Sequence, residues 1–121
     1  MTLESLEARI ARLEYRERLM FLMLDSSKDP WRHFILENDL DEGQATGIMA
    51  VMESTHNLLE KGTQIDAPSF EGQLLLFMPE KQKSARYHFV QTLLATLTQY
   101  DKVCNHFRDD YNVPTRERLE L

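Results

Sequence analysis

Four histidines and one cysteine are the residues of this chain best suited to chemistry. His56 and Glu60 stand four positions apart, as do His106 and Asp110, and Asp109 stands three from His106. Pairs at these spacings share one helix face, where they can hold a metal ion or pass a proton. The same pairs are common on any charged helix surface. No second motif of the Glu-x-x-His or His-x-x-x-His kind completes a ligand set. The sequence therefore predicts surface histidines, with no catalytic residue, no metal and no cofactor. Cys104 stands alone, which excludes an intrachain disulfide and a cysteine-based zinc site. Its helical setting suits a small buried hydrophobe, and no serine or cysteine has the context of a nucleophile. Gly43 and Gly47 lack the Gly-Lys-Ser/Thr sequel and the preceding strand of a phosphate loop. Within a helix they allow a neighbouring helix to come close.

Met20, Met23, Met49, Met52 and Met78 are candidates to line an adaptable groove, with core filling as the plainer role. Trp31, beside Pro30, His33 and Phe34, reads as the anchor of a short helix rather than a pocket wall. Two helices joined through Asp39-Leu40-Asp41 invite comparison with a helix-turn-helix. The second of them opens Asp41-Glu42-Gly43-Gln44 and carries no basic residue as far as Glu60. Carboxylates facing phosphates repel, so no nucleic-acid partner is expected.

The strongest pattern concerns association. Leu3, Leu6, Ile10, Leu13, Glu17, Met20 and Leu24 follow the alternating three-and-four spacing of a coiled-coil seam. With Leu3 at position a and Leu6 at d, Glu7 and Glu14 fall at e, and Arg9 and Arg16 at g. In a parallel pair Arg9 of one chain faces Glu14 of the other. An antiparallel self-pairing would set Glu against Glu and Arg against Arg. The predicted interface comprises Leu3, Leu6, Glu7, Arg9, Ile10, Leu13, Glu14, Arg16 and Glu17. Glu17 occupies an a position, so it ends the seam or pairs with an arginine of a neighbour. The seam runs for only about two and a half heptads. The competing reading is an amphipathic helix packed on its own domain.

These residues need helices to hold them, and the composition supplies helix formers. The chain has 121 residues, enough for one domain with a modest core. Apolar residues make up 42% and charged residues 28%, with only 4 glycines and 4 prolines to interrupt the pattern. Leu, Glu, Arg, Met, Gln and Ala, all good helix formers, are frequent. The expected fold is all-α, a bundle of about five helices in one domain spanning 1–121. The first helix runs over about 2–27, capped by Thr2. Its Leu19–Leu24 stretch is apolar on every side and so is expected to be buried on every side. Asp29 with Pro30 starts a second helix. Asp41 with Gln44 resembles a capping box opening a third, which Gly62 ends. A fourth helix covers about 69–78. The last helical region spans about 80–111, with a break conceivable near Thr96 and Thr98, and 112–121 forms a loose tail.

The net charge of −6 and a pI near 5.2 also argue against phosphate-bearing partners. No run of apolar residues approaches the roughly 18 of a membrane-spanning helix. The N-terminus lacks the cationic-then-apolar order of a signal peptide. The expectation is a cytoplasmic protein with no membrane partner.

Arg9-Ile-Ala-Arg-Leu-Glu-Tyr15 resembles the N-terminal Arg-Ile-x-Arg-Leu-Glu-Tyr signature of the YhaI-like proteins, a small helical family of unknown function from Gram-positive bacteria. The resemblance continues at Pro30-Trp31, passes through Leu40 into the third helix and extends more weakly to Ser69–Phe77 and the final helix, so that it covers most of the chain. Pro79 and the chain after Tyr111 depart from it. It implies a small oligomeric helical fold and no catalytic residues.

The leading expectation is thus a non-enzymatic interaction or regulatory module that pairs with itself in parallel through its first helix. The alternative is an oligomer that holds a nucleotide or metabolite between subunits through arginines such as Arg12, Arg16 or Arg86. An unidentified protein partner fits either.

Overall fold

Ser5 opens the first helix by accepting a hydrogen bond from the Ala8 N–H at 3.1 Å, with Glu7 in the first turn where the helix dipole favours it. The computed structural model describes residues 5–24 and 28–113. The expected cap at Thr2 lies outside them. Among the described residues all regular structure is helical: α1 (Leu6–Met23), α2 (Pro30–Glu37), α3 (Glu42–Glu60), α4 (Ala67–Leu74), α5 (Glu80–Lys83), α6 (Arg86–Thr96), α7 (Asp101–His106) and α8 (Arg108–Tyr111).

The all-α expectation holds, and several local signals act as read. Asp29 accepts from the Arg32 N–H at 3.4 Å, with Pro30 in the first turn of α2. Asp41 accepts from the Gln44 N–H at 2.8 Å, and Gln44 Oε1 accepts from the Asp41 N–H at 2.9 Å, which completes the capping box. Gly62 ends α3 at φ +83°, a conformation open to glycine at no steric cost. The fourth helix starts two residues earlier than expected, because Asp66 caps it by accepting from the Ser69 N–H at 2.9 Å. The Ser69 hydrogen bonds hold the Asp66 carboxyl below its ordinary range.

The core is built around α6. Phe89, Val90, Leu93 and Leu94, with Leu97 just beyond, are buried and meet Phe34 of α2, Ile48 and Met52 of α3, Phe70 and Leu74 of α4, and Val103 and Phe107. Phe34 packs edge-on against Phe89 with centroids 5.2 Å apart, and Phe70 stacks on Phe107 at 4.6 Å. Such ring pairs add specificity to area burial. Leu40, between α2 and α3, is buried with them. Gly47 admits the Phe77 ring, since a Cβ there would lie 2.1 Å from Phe77 Cδ1. In place of the neighbouring helix expected at this glycine, a side chain from the turn after α4 occupies the space.

Two expectations require correction. The single last helix of 80–111 is four short helices. Its main break falls at Leu97–Tyr100, where Thr96 Oγ1 donates to the Thr92 carbonyl at 2.8 Å, and Thr92 Oγ1 likewise to His88 at 2.8 Å. Hydroxyls that bond back to the preceding turn compete with helix continuation. The Cys104 thiol donates to the Leu94 carbonyl at 3.1 Å, which the end of α6 leaves without a helical partner. The count of about five helices accordingly rises. The second correction concerns Leu19–Leu24. None of α1 is buried, and Leu22 and Met23 are 79% and 83% exposed. Only Phe21 and Leu24 are partly covered. This part of the helix does not enter the core of its own chain, because α2–α8 already close the core around α6. At the other end, Val113 is buried, and 114–121 lies outside the described residues.

Candidate interaction surface

The ladder residues lie along α1 at the expected helical spacing. Leu6, Ile10, Leu13 and Met20 are 71%, 45%, 57% and 63% exposed. Glu7, Arg9, Glu14, Arg16 and Glu17 are exposed beside them, and Leu3 lies outside the described residues. An 18-residue helix thus carries an apolar stripe, interrupted by Glu17 between Leu13 and Met20, with no buried residue. Monomeric proteins rarely leave such a stripe uncovered.

One side of α1 does touch the body. The Phe21 ring lies 4.8 Å from the His33 ring of α2. Around this contact Glu17, Arg18, Phe21, Leu22, Leu36 and Glu37 line an open groove of about 400 Å³. Leu36 is itself exposed, and the groove combines the apolar side chains of Phe21, Leu22 and Leu36 with the carboxylates of Glu17 and Glu37 and the guanidinium of Arg18. Glu37 Oε2 is 3.2 Å from His33 Nδ1. The Arg18 guanidinium is turned back along its own helix, 5.9 Å from the Tyr15 ring centre. Sequence reasoning missed this groove. Trp31-x-x-Phe34-Ile35 marked the buried face of α2, but nothing local indicated that Leu36 and Glu37 would border α1.

The histidines have structural roles. His56 Nε2 is 3.4 Å from Glu60 Oε1, and Lys102 Nζ is 3.8 Å from the same oxygen. A metal bound there would sit beside an ammonium group. His56 Nδ1 is buried and has no hydrogen-bond partner among the described residues. His56 and His33 are partly covered rather than fully exposed, so the surface expectation fits His88 and His106 better. His106 Nε2 lies 2.7 Å from the Ile65 carbonyl and pins the loop before α4, rather than serving Asp110. Among the described residues no three His, Cys, Asp or Glu side chains converge as a metal site needs. Burial first, then Asp101, pushes the Cys104 thiol up to about 11, which is the opposite of nucleophile activation. Arg86 Nε is 3.6 Å from Glu71 Oε2, so this arginine belongs to an intramolecular ion pair. Met52 and Met78 are core, and Met20 and Met23 are exposed on α1. Trp31 stacks on Phe34 with centroids 5.6 Å apart, as an anchor does. Among the described residues no helix is long and apolar enough to cross a membrane.

The model of a protein family described as "Protein of unknown function (DUF1878)" matches residues 3–64, just over half of the chain. The chain belongs to that family. The matched stretch takes in α1, the α1–α2 groove and α3, and stops before α4. No curated protein and no solved structure matches the chain. The family description names no activity, so the function has to be argued from the surface of the molecule.

Proposed function

We propose that this protein is a non-enzymatic interaction module that works in the cytoplasm as a homo-oligomer, two copies pairing in parallel through α1. The observation that carries this reading is the unburied apolar ladder Leu6–Ile10–Leu13–Met20 on a long helix with no buried residue. Helices gain most of their stability in water from packing one face. The flanking charges support the parallel direction, since Arg9 of each chain meets Glu14 of the other. In the same register Glu17 sits at an a position and faces Glu17 of the other chain, so the apolar seam ends there, with Arg16 of the neighbour beside the two carboxylates. The Arg9–Tyr15 motif supports placing the chain among the YhaI-like proteins of Gram-positive bacteria within its family.

Sedimentation equilibrium of the full chain tests the reading. The wild type associates at roughly tens of micromolar or below, and a Leu6→Asp, Ile10→Asp double variant is monomeric and keeps its core, as most exposed-surface changes do. A wild type that is monomeric at that concentration, or a double variant that still associates, overturns it.

A further inference from the structure

We propose that the groove between α1 and α2 is the receptor for Arg16 of the second copy, which makes α2 part of the interface. This inference rests on the parallel pairing proposed above.

In a parallel coiled coil a residue at g faces the e position five residues later on its partner. Arg9 meets Glu14 in that way. Arg16, by the same rule, meets position 21, where the sequence has Phe21 in place of a third glutamate. The ladder alone therefore leaves Arg16 opposite an aromatic ring. The structure supplies what is missing. Phe21 forms part of the groove of about 400 Å³, lined also by Leu22, Leu36, Arg18 and the carboxylates of Glu17 and Glu37. Apolar side chains with two carboxylates against one guanidinium leave an acidic, partly apolar site that is complementary to a second arginine. The aliphatic stem covers Leu36, the planar guanidinium lies on the Phe21 ring, and the carboxylates accept its N–H groups.

Neither Arg16 nor Arg18 of the same chain meets this need. Arg16 and Phe21 are five residues apart on one helix, about 140° around its axis, so Arg16 points away from its own groove. Arg18 lines the groove but directs its guanidinium toward Tyr15. Glu37 already faces His33, and a carboxylate accepts from more than one donor. The acid that the heptad lacks at position 21 thus comes from α2.

Sedimentation equilibrium of the full-length wild type, Arg16→Gln, Glu37→Gln and the double variant tests this, with near-UV circular dichroism of the aromatic core, which lies outside α1, as the check on folding. Each single change is expected to raise the dissociation constant roughly three- to tenfold, and the double change no further than the worse single. An unchanged constant for Glu37→Gln, or two effects that multiply, overturns the inference. If the wild type associates and Leu6→Asp, Ile10→Asp abolishes it while Glu37→Gln does nothing, the pairing through α1 stands and this contact fails. A monomeric wild type removes both.

Discussion

The Tyr111 hydroxyl donates to Glu71 Oε1, joining α8 to α4 across 40 positions of chain. Arg86 of α6 meets the other oxygen of the same carboxylate at 3.6 Å, and Gln91 Nε2 donates to the Tyr111 carbonyl at 3.0 Å. Three helices distant in sequence converge on one partly buried polar cluster. Removing one partner of such a cluster costs more than the average hydrogen bond, because the remaining groups lose a ligand without regaining water. Tyr111→Phe is expected to lower the unfolding free energy by about 1–2 kcal/mol at neutral pH, read by urea denaturation.

The same phenol makes stability depend on alkaline pH. Burial first, and then the Glu71 carboxylate, raise its pKa above the ordinary value of 10.0. A raised folded-state pKa gives stability that is complete below the unfolded value and lost as pH rises above it. The unfolding free energy of the wild type should therefore hold to about pH 9 and fall beyond about pH 10. Tyr111→Phe should fall less steeply over the same range. Parallel curves for the two proteins would show that Tyr111 is not the group responsible.

Two helical glycines separate packing from propensity. Gly47 is expected to reject alanine, since the new Cβ would overlap the Phe77 ring, and overpacking of this kind costs about 1–3 kcal/mol. Phe77→Leu should recover part of that loss. At Gly72 a Cβ would have nothing within 4 Å, so Gly72→Ala should stabilise α4 by about 0.5–1 kcal/mol. Thermal melts of Gly47→Ala, Gly47→Ala with Phe77→Leu, and Gly72→Ala decide this, and an equal response at both glycines would contradict it.

Cys104 should resist modification in the folded protein. Its thiol donates to the Leu94 carbonyl and its pKa is pushed up to about 11, so thiolate is scarce at neutral pH. A thiol reagent at neutral pH is expected to label it only as fast as the fold opens, and fully in denaturant. Rapid labelling without denaturant would mean that α7 separates from the end of α6.

What the sequence made legible was mostly local. Asp29-Pro30, Asp41 with Gln44, and Gly62 each act within four residues of themselves, and each sets a helix boundary as read. The breaks inside 80–111 fall at Ser84-Ala85, Leu97–Tyr100 and Phe107, with neither glycine nor proline to announce them. They are set by packing around α6 and by Cys104 reaching back to Leu94. The Tyr111–Glu71 bond and the α1–α2 groove join residues far apart in sequence, so no local pattern contained them. Leu19–Leu24 shows the limit of composition as a guide. An all-apolar stretch says that burial is needed, but not whether the covering surface lies in the same chain.

That last point yields a prediction on α1 itself. Its 18 residues have a good N-terminal cap but bury no side chain within the monomer. An isolated helix of this length is marginal in water, because nucleation is costly and only packing offsets it. Dissociation of the pair should therefore unwind much of α1 while α2–α8 stay folded around α6. Far-UV circular dichroism followed across a dilution series should lose ellipticity in step with the monomer fraction from sedimentation. The Leu6→Asp, Ile10→Asp variant should show the reduced ellipticity at every concentration. Ser5→Ala, which removes the cap, should weaken association by about 1 kcal/mol, because the monomer must then meet a larger cost to form the helix that pairs. Ellipticity that stays constant while the chain dissociates would mean that α1 is held by its own domain, and the second copy would then have no part in forming the helix.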